Sequence, residues 1–276
     1  MADLSIIIVS FNTAAELSRC LESLRDHPPA VPHDIVVVDN ASSDATVGML
    51  RAWWPQVRLI SSPQNVGFAA ANNLGIRSTA GELVLLLNSD TLVPAGAIDT
   101  LVAQLRARPG LAAIGPRLVD AEGRTEVSFG PMLGPFNELR QKLLVTLHAR
   151  RVGTVSRLVD RRSRRRQEPD WISGACLLVR RADAVAAGLL DERYFLYAED
   201  VDFCAALRAL GRTIGFTPDA EVVHLRGASR RSRPEASERA YRRSHLAFYE
   251  KHHPAFAGML RFYLRVRGKL PPEREA

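Results

Sequence analysis

The sequence predicts an α/β protein: a doubly wound, mostly parallel sheet with flanking helices and a basic helical C-terminal extension. Three observations carry this. Short, continuous apolar runs, the pattern of strands buried on both faces, alternate with segments long enough for crossover helices. The 276 residues are 46% hydrophobic and 24% charged with only 3 Cys, which suits one large domain and excludes disordered, collagen-like and disulfide-stapled chains. Each strand-like run also closes on polar or aromatic groups, and ligands of such sheets bind beyond those C-terminal strand ends.

The strands of the first half are residues 5–11 (SIIIVSF), 35–39 (IVVVD), 57–61 (VRLIS) and 83–88 (LVLLLN). Between them, residues 14–25, 44–54 and 68–77 supply crossover helices, with Ser43 or Asp44 as the N-cap of the second. A helix over about 95–108 and a strand over 111–115 continue the alternation. Pro131, Gly134 and Pro135 then open an insertion, 130–168, that ends in Arg161, Arg162, Arg164, Arg165 and Arg166 and reads as part helix, part mobile loop. Residues 171–179 (WISGACLLV) form a strand followed by a helix from Arg181; acids cluster before a further helix that Gly211 ends. Residues 214–216 and 222–225 are short strands, and 235–251 is a surface helix. The main domain is therefore 1–225, in halves 1–116 and 117–225, followed by the extension 226–276.

Cys20, Cys176 and Cys204 are widely spaced, as expected of small core residues in a reducing compartment. With no basic leader before the first apolar run, and no uncharged stretch of the roughly 20 residues a bilayer requires, the expected location is cytoplasmic. The formal charge of +7 is unevenly spread. Residues 139–166 and 225–270 each carry +9, which leaves −11 on the remainder. Two basic segments on an acidic body imply anionic partners at defined places.

No Gly-rich phosphate cradle follows the first strand. The strands end instead in S-F-N (Ser10, Phe11, Asn12) and V-D-N-A-S-S-D (Asp39, Asn40), where a carboxylate can accept from a base N–H or a ribose hydroxyl, or cap a turn. In N-V-G-F-A-A-A-N-N-L-G, Gly67 frees the backbone, and Asn72 and Asn73 bring amides to the start of a helix. In N-S-D (Asn88, Ser89, Asp90), one carboxylate after a buried strand can hold Mg²⁺ or Mn²⁺ when substrate phosphates complete the shell, or can cap a turn. E-D-V-D places Glu199 and Asp200 at a helix start, where they serve the helix dipole or provide a general base. His224 ends a strand as a metal ligand or a structural imidazole.

In this order, S-F-N, V-D-N-A-S-S-D, N-V-G-F-A-A-A-N-N-L-G, L-L-L-N-S-D, W-I-S-G-A-C-L-L-V-R-R, F-L-Y-A-E-D-V-D-F-C and V-V-H-L-R-G resemble glycosyltransferase family 2, inverting enzymes of GT-A fold, and especially its bacterial rhamnosyltransferase-like members. The resemblance spans residues 4–250. It implies a nucleotide-sugar half (1–116) and an acceptor and catalytic half (117–225). Ser10, Phe11, Asn12, Asp39 and Asn40 would hold the nucleoside, while Asn65, Gly67, Phe68 and Asn72 line the ribose and diphosphate pocket. Asn88, Ser89 and Asp90 occupy the D-x-D position, with Asp90 and His224 as metal ligands for Mg²⁺ or Mn²⁺; the first D-x-D position is Asn88 here. Trp171, Ser173 and Gly174 fall at the acceptor, and Asp200, with Glu199 beside it, matches the catalytic base.

The activity so implied is inverting transfer of a sugar, with dTDP-rhamnose as first donor, to a hydroxyl of a glycan or polyprenyl-diphosphate-linked acceptor in cell-surface polysaccharide synthesis. UDP-galactofuranose, UDP-glucose and UDP-N-acetylglucosamine are alternative donors. Basic residues of 226–269, interleaved with aromatics, suit an anionic membrane surface. Two other classes are weaker readings. A nucleic-acid-binding protein is suggested by the pI of about 9.8, yet no helix-turn-helix, zinc-finger or RRM pattern is present. A sugar nucleotidyltransferase would lack a reason for E-D-V-D.

Overall fold

A computed structural model describes residues 2–225 and 234–271; Arg226 to Arg233, part of the basic segment, lie outside the described residues. The first half follows the expected alternation: β1 (Leu4–Ser10), α1 (Ala14–Asp26), β2 (His33–Asp39), α2 (Thr46–Trp53), β3 (Arg58–Ser61), α3 (Phe68–Arg77), β4 (Leu83–Asn88), β5 (Thr91–Leu92), α4 (Ala97–Ala107) and β6 (Leu111–Val119). All seven residues of β1 are buried, because helices cover both faces of the sheet. α1 buries Leu17, Cys20, Leu21 and Leu24, one helical stripe. Asp44 accepts the Thr46 N–H at 3.0 Å just ahead of α2, so it serves the first turn although Ala45 holds the cap position.

The second half departs from the expected elements in three places. Residues 171–179 are two strands. β8 (Trp171–Ile172) pairs with β7 (Phe129–Gly130) in a small sheet, and a turn at Gly174–Ala175 sends β9 (Cys176–Arg180) into the main sheet. The two short strands expected near 214 and 222 are one strand, β10 (Thr213–His224), with a register irregularity between Thr217 and Glu221. The insertion is mostly helical: α5 (Pro135–Ala149), whose Pro135 sits in the first turn, and α6 (Gly153–Ser163). α7 (Arg181–Ala186) and α8 (Glu199–Ala209) follow as expected, and the C-terminal helix is two, α9 (Pro234–His252) and α10 (Pro254–Val266), divided at Pro254.

The main sheet runs β3-β2-β1-β4-β9-β6-β10-β5. β1 to β4 are parallel, β9 is antiparallel to both neighbours, and β5 is antiparallel to β10. Period-2 alternation divides β1 between two cores: Ile6 and Ile8 face Leu17, Leu21 and Leu101, while Ile7 and Val9 face Ala69, Phe203 and Phe216. Phe248 and Tyr249 of α9 join the second core, so this helix packs on the face of the sheet that also carries α3 and α8. Burial of each such side chain is worth about 1.5–3 kcal/mol. The sheet thereby brings the C-terminal ends of β1, β2 and β4, the start of β9 and the end of β10 to one edge.

Candidate active site

At the end of β1, the Ser10 and Thr13 hydroxyls lie 2.9 Å apart, and Thr13 lies 3.0 Å from Ser89, tying the first strand end to the fourth. Asn12, with φ of 53°, accepts the Ser43 N–H at 2.7 Å through its side chain and donates its backbone N–H to the Ser42 hydroxyl at 2.9 Å. The β1 and β2 ends are thereby fixed to each other beside Phe11. Buried Asp39 accepts the Ser42 N–H at 3.3 Å through one oxygen; the other is buried without a partner. An unpaired buried carboxylate oxygen is costly unless a donor arrives. It therefore suits a ligand N–H or hydroxyl.

Asn40 and Asn65 act as scaffold. Asn40 donates to the Asn65 side-chain oxygen (3.0 Å) and the Gly67 carbonyl (3.2 Å) and accepts the Val66 N–H (2.9 Å). The Asn65 oxygen also accepts the Gly67 N–H at 3.0 Å. Gly67 has φ of 88°, and a Cβ there would stand 2.6 Å from the Phe195 carbonyl oxygen. The next residue, Phe68, donates its N–H to that same oxygen at 2.7 Å. Phe195 opens the approach to α8, so this turn ties the start of α3 to the start of α8. Asn72 donates to the Phe68 carbonyl one helical turn back at 2.9 Å, and Asn73 clamps Leu190 and Glu192; both amides thus brace α3.

α8 starts from strained backbone. Tyr197 and Ala198 have φ of 72° and 69°, a conformation costing an L-residue about 1–2 kcal/mol each. The turn is anchored behind by Asp202, which accepts from the Tyr194 hydroxyl (3.1 Å), Lys251 (2.8 Å) and His252 (2.6 Å). It presents Asp200, whose carboxylate accepts the Gly174 N–H at 2.9 Å and the Val201 N–H at 2.8 Å. Gly174 leaves room for Asp200 and for the Phe68 ring, which lies 3.7 Å from where a Cβ would be. Burial raises the Asp200 pKa above the ordinary carboxylate range, opposed by the two backbone donors. Burial, then the Asp200 charge, drives the neighbouring Glu199 well higher, and its Oε2 has no partner. The pair therefore carries its charge on Asp200 while Glu199 keeps its proton.

A third group gathers where β4, β5 and β10 meet. His224 Nε2 is 3.2 Å from Asp90 and Nδ1 is 3.1 Å from Glu126, with the Asn88 amide 3.5 Å from Nε2. Burial pulls the imidazole pKa down, but hydrogen bonds to the two carboxylates prevail and lift it to about 9. Asn88 Oδ1 is buried without a partner. The Asp90 carboxylate and the unpaired Asn88 oxygen are donors of the kind Mg²⁺ or Mn²⁺ takes, whereas the imidazole, held protonated by its two carboxylates, could ligate only after giving up its proton; among the described residues no group of three or more His, Cys, Asp or Glu forms a complete site.

The expected residues thus converge on one edge, with distinct duties. Ser173 donates its N–H to the Ser128 carbonyl at 2.8 Å. Trp171 is buried in the second core and spends its indole N–H on the Pro131 carbonyl at 2.9 Å, so it serves packing here. Sequence reasoning missed Glu126, an isolated acid in a loop that meets His224 from 98 residues away, and Asp202 as an anchor; only the E-D-V-D spelling hinted at the latter.

The family model described as "Glycosyl transferase family 2" matches residues 5–163. An N-acetylglucosaminyl-diphospho-decaprenol L-rhamnosyltransferase of Mycobacterium tuberculosis is 30% identical over 274 residues, covering 95% of this chain and 89% of that one. Among solved structures, the mannosyltransferase PcManGT from Pyrobaculum calidifontis, in complex with GDP-Man and Mn²⁺, superposes with a TM-score of 0.60 at 19% identity, covering 94% of this chain and 68% of that one. GalNAc-T7 with UDP, GalNAc and Mn²⁺ gives 0.60 at 17% identity, covering 81% of this chain and 44% of that chain. The fold shared with these structures is GT-A.

Proposed function

The chain belongs to glycosyltransferase family 2, and from that premise we propose that it transfers rhamnose from dTDP-rhamnose, with inversion, to a hydroxyl of a polyprenyl-diphosphate-linked saccharide at the cytoplasmic face of a membrane. The observation that carries the reading is Asp200, a buried carboxylate at the start of α8 that accepts the Gly174 and Val201 N–H groups, with Gly174 also standing against the Phe68 ring. The similarity to an enzyme named for a rhamnosyl donor and a lipid-linked acceptor supports the choice of substrates.

On this reading Asp39 accepts from the nucleoside through its unpaired oxygen, and Ser10, Phe11 and Asn12 form the floor beneath it. The Asn40–Asn65–Gly67 turn fixes the diphosphate side of the pocket, with Phe68 between it and Asp200. Asp90, with His224 and Asn88 alongside, would hold a divalent ion, which when bound supplies positive charge to the diphosphate. Asp200 takes the acceptor hydroxyl proton as that oxygen attacks the anomeric carbon from the face opposite the diphosphate, so one displacement inverts the centre. Gly174 and Val201 N–H keep the Asp200 carboxylate aimed; Ser173 and Gly174 border the acceptor.

A donor screen tests the proposal. Of dTDP- and UDP-sugars offered with Mg²⁺ or Mn²⁺, dTDP-rhamnose should give the largest thermal shift and release dTDP on addition of a lipid-linked N-acetylglucosamine acceptor. Preference for a UDP-hexose would overturn the donor, and release of pyrophosphate would overturn glycosyl transfer. Asp90→Ala should lose the response to Mn²⁺.

A further inference from the structure

α10 is apolar on two opposite sides. Ala257, Leu260 and Leu264 face the protein. Met259, Phe262, Tyr263 and Val266, spaced i, i+3, i+4, i+7, face outward, with Phe262 and Val266 68% and 69% exposed. Such a stripe is expensive to leave in water and uncommon on a soluble surface helix. α5 repeats the feature with Phe136, Leu139 and Leu143 at i, i+3, i+7; Phe136 is 84% exposed. The two helices start at one corner, where the His253 ring bonds the Leu133 carbonyl at 2.7 Å and lies 3.3 Å from where a Gly134 Cβ would be.

We propose that these two stripes form a docking face for the surface of an anionic lipid bilayer. Charge selects this occupant. Residues 254–270 contain no Asp or Glu, while Arg261, Arg265, Arg267 and Lys269 flank the α10 stripe, all exposed. The one acid of α5, Glu138, is buried and bonded to His245, Tyr249 and Lys142, whereas Arg140 is exposed. Apolar side chains rimmed by cations fit acyl chains beneath anionic headgroups. A second copy of the same face would set cation against cation. At 13 residues α10 is about 20 Å long, too short to cross a bilayer, so it lies along the interface.

The face is joined to the chemistry through α9. Its Lys251 and His252 hold Asp202, two residues from Asp200, and a cavity of about 300 Å³ lies between α5, α9 and the Tyr197–Ala198 turn. Docking would bring that turn toward the surface where a lipid-linked acceptor is anchored. This consequence rests on the transfer reading above; the docking face rests on its own side chains.

The experiment is flotation of the full chain with phosphatidylcholine vesicles, with and without phosphatidylglycerol, in the absence of donor and acceptor. The chain should float with anionic vesicles at least tenfold more than with neutral ones, with binding weakened by salt. Phe262→Glu with Val266→Glu should reduce binding at least tenfold without changing the thermal midpoint, since both side chains are exposed; Arg265→Gln with Arg267→Gln should reduce it less. Equal binding to both vesicle types, or unchanged binding by the Phe262→Glu, Val266→Glu variant, overturns the proposal. So does a dimer, seen by analytical ultracentrifugation, that this variant dissolves while the wild type ignores vesicles. Thermal shift with dTDP-rhamnose in the same preparation reports the transfer reading separately, so either can fail alone.

Discussion

The two sides of the groove are built differently. On the donor side, residues at the ends of β1 and β2 satisfy one another over 25 to 31 positions, as Asn40 does with Asn65 and Asn12 with Ser43, within neighbouring β-α-β units. On the α8 side, Asp200 depends on Gly174 in the turn before β9, a similar 26 positions away, but Asp202 depends on Lys251 and His252 some 50 positions away, in a helix outside the sheet. Its backbone also holds two consecutive non-glycine residues in the left-handed region. One side is a property of the repeating crossover, and the other of distant segments held together. Binding and chemistry should therefore separate under mutation.

The largest separation is expected from Asp200→Asn, which should reduce transfer about 1000-fold by removing the base, while nucleotide affinity measured by calorimetry is unchanged. An equal loss of affinity would mean that the two sides are one unit. Next is Glu138, which joins α5 to α9 behind the catalytic turn. Despite the burial that would raise its pKa, bonds to His245, Lys142 and Tyr249 lower it from 4.5 to about 2. A carboxyl depressed on folding stabilises the protein above its unfolded pKa, and that contribution disappears as pH falls from about 4.5 toward 2. Urea unfolding of Glu138→Gln should show a loss of about 3 kcal/mol at pH 7 that narrows toward pH 2.

A smaller effect, about 2 kcal/mol, is expected from Gly67→Ala, because the added Cβ meets the Phe195 carbonyl at a positive φ. It should lower the unfolding midpoint and kcat together, since it pushes directly on the approach to α8. The smallest is Glu199→Gln, which replaces a neutral acid by a neutral amide of the same shape and should cost under about 1 kcal/mol in kcat/KM. The acid limb of kcat/KM should remain above the ordinary Asp range, with activity lost as falling pH protonates Asp200. If Glu199→Gln matched Asp200→Asn in effect, the assignment of charge within the pair would be reversed.

The donor side was legible in the sequence because continuous apolar runs define parallel strands and each ends on its own polar residues. β1, β2, β4 and α3 stand where residues 5–11, 35–39, 83–88 and 68–77 foretold, to within two residues. The catalytic side was legible only as separate pieces. Asp200 could be named from E-D-V-D, but nothing in R-T-E-V-S announces that Glu126 meets His224, or that Asp202 is an anchor, since neither pairing follows a local period. The run WISGACLLV reads as one strand because apolar residues stand on both sides of Ser173 and Gly174; the Gly174–Ala175 turn divides it between two sheets. α10 was hidden inside a basic segment until solvent exposure distinguished its outward stripe from its inward one.

β9 is the late arrival at the centre of the main sheet. It enters antiparallel between β4 and β6, two strands that precede it by more than fifty residues. During synthesis on the ribosome, β4 therefore emerges with one edge unpaired, and β6 with both, until residues 176–180 leave the exit tunnel and β10 follows. Open edges of this kind invite pairing with other chains. The same step that closes the sheet also delivers Gly174 to Asp200. A nascent chain stopped short of β9 would carry the cluster at the ends of β1 and β2 without Asp200, and a strong tendency to aggregate, so chaperone dependence should concentrate in that interval of translation.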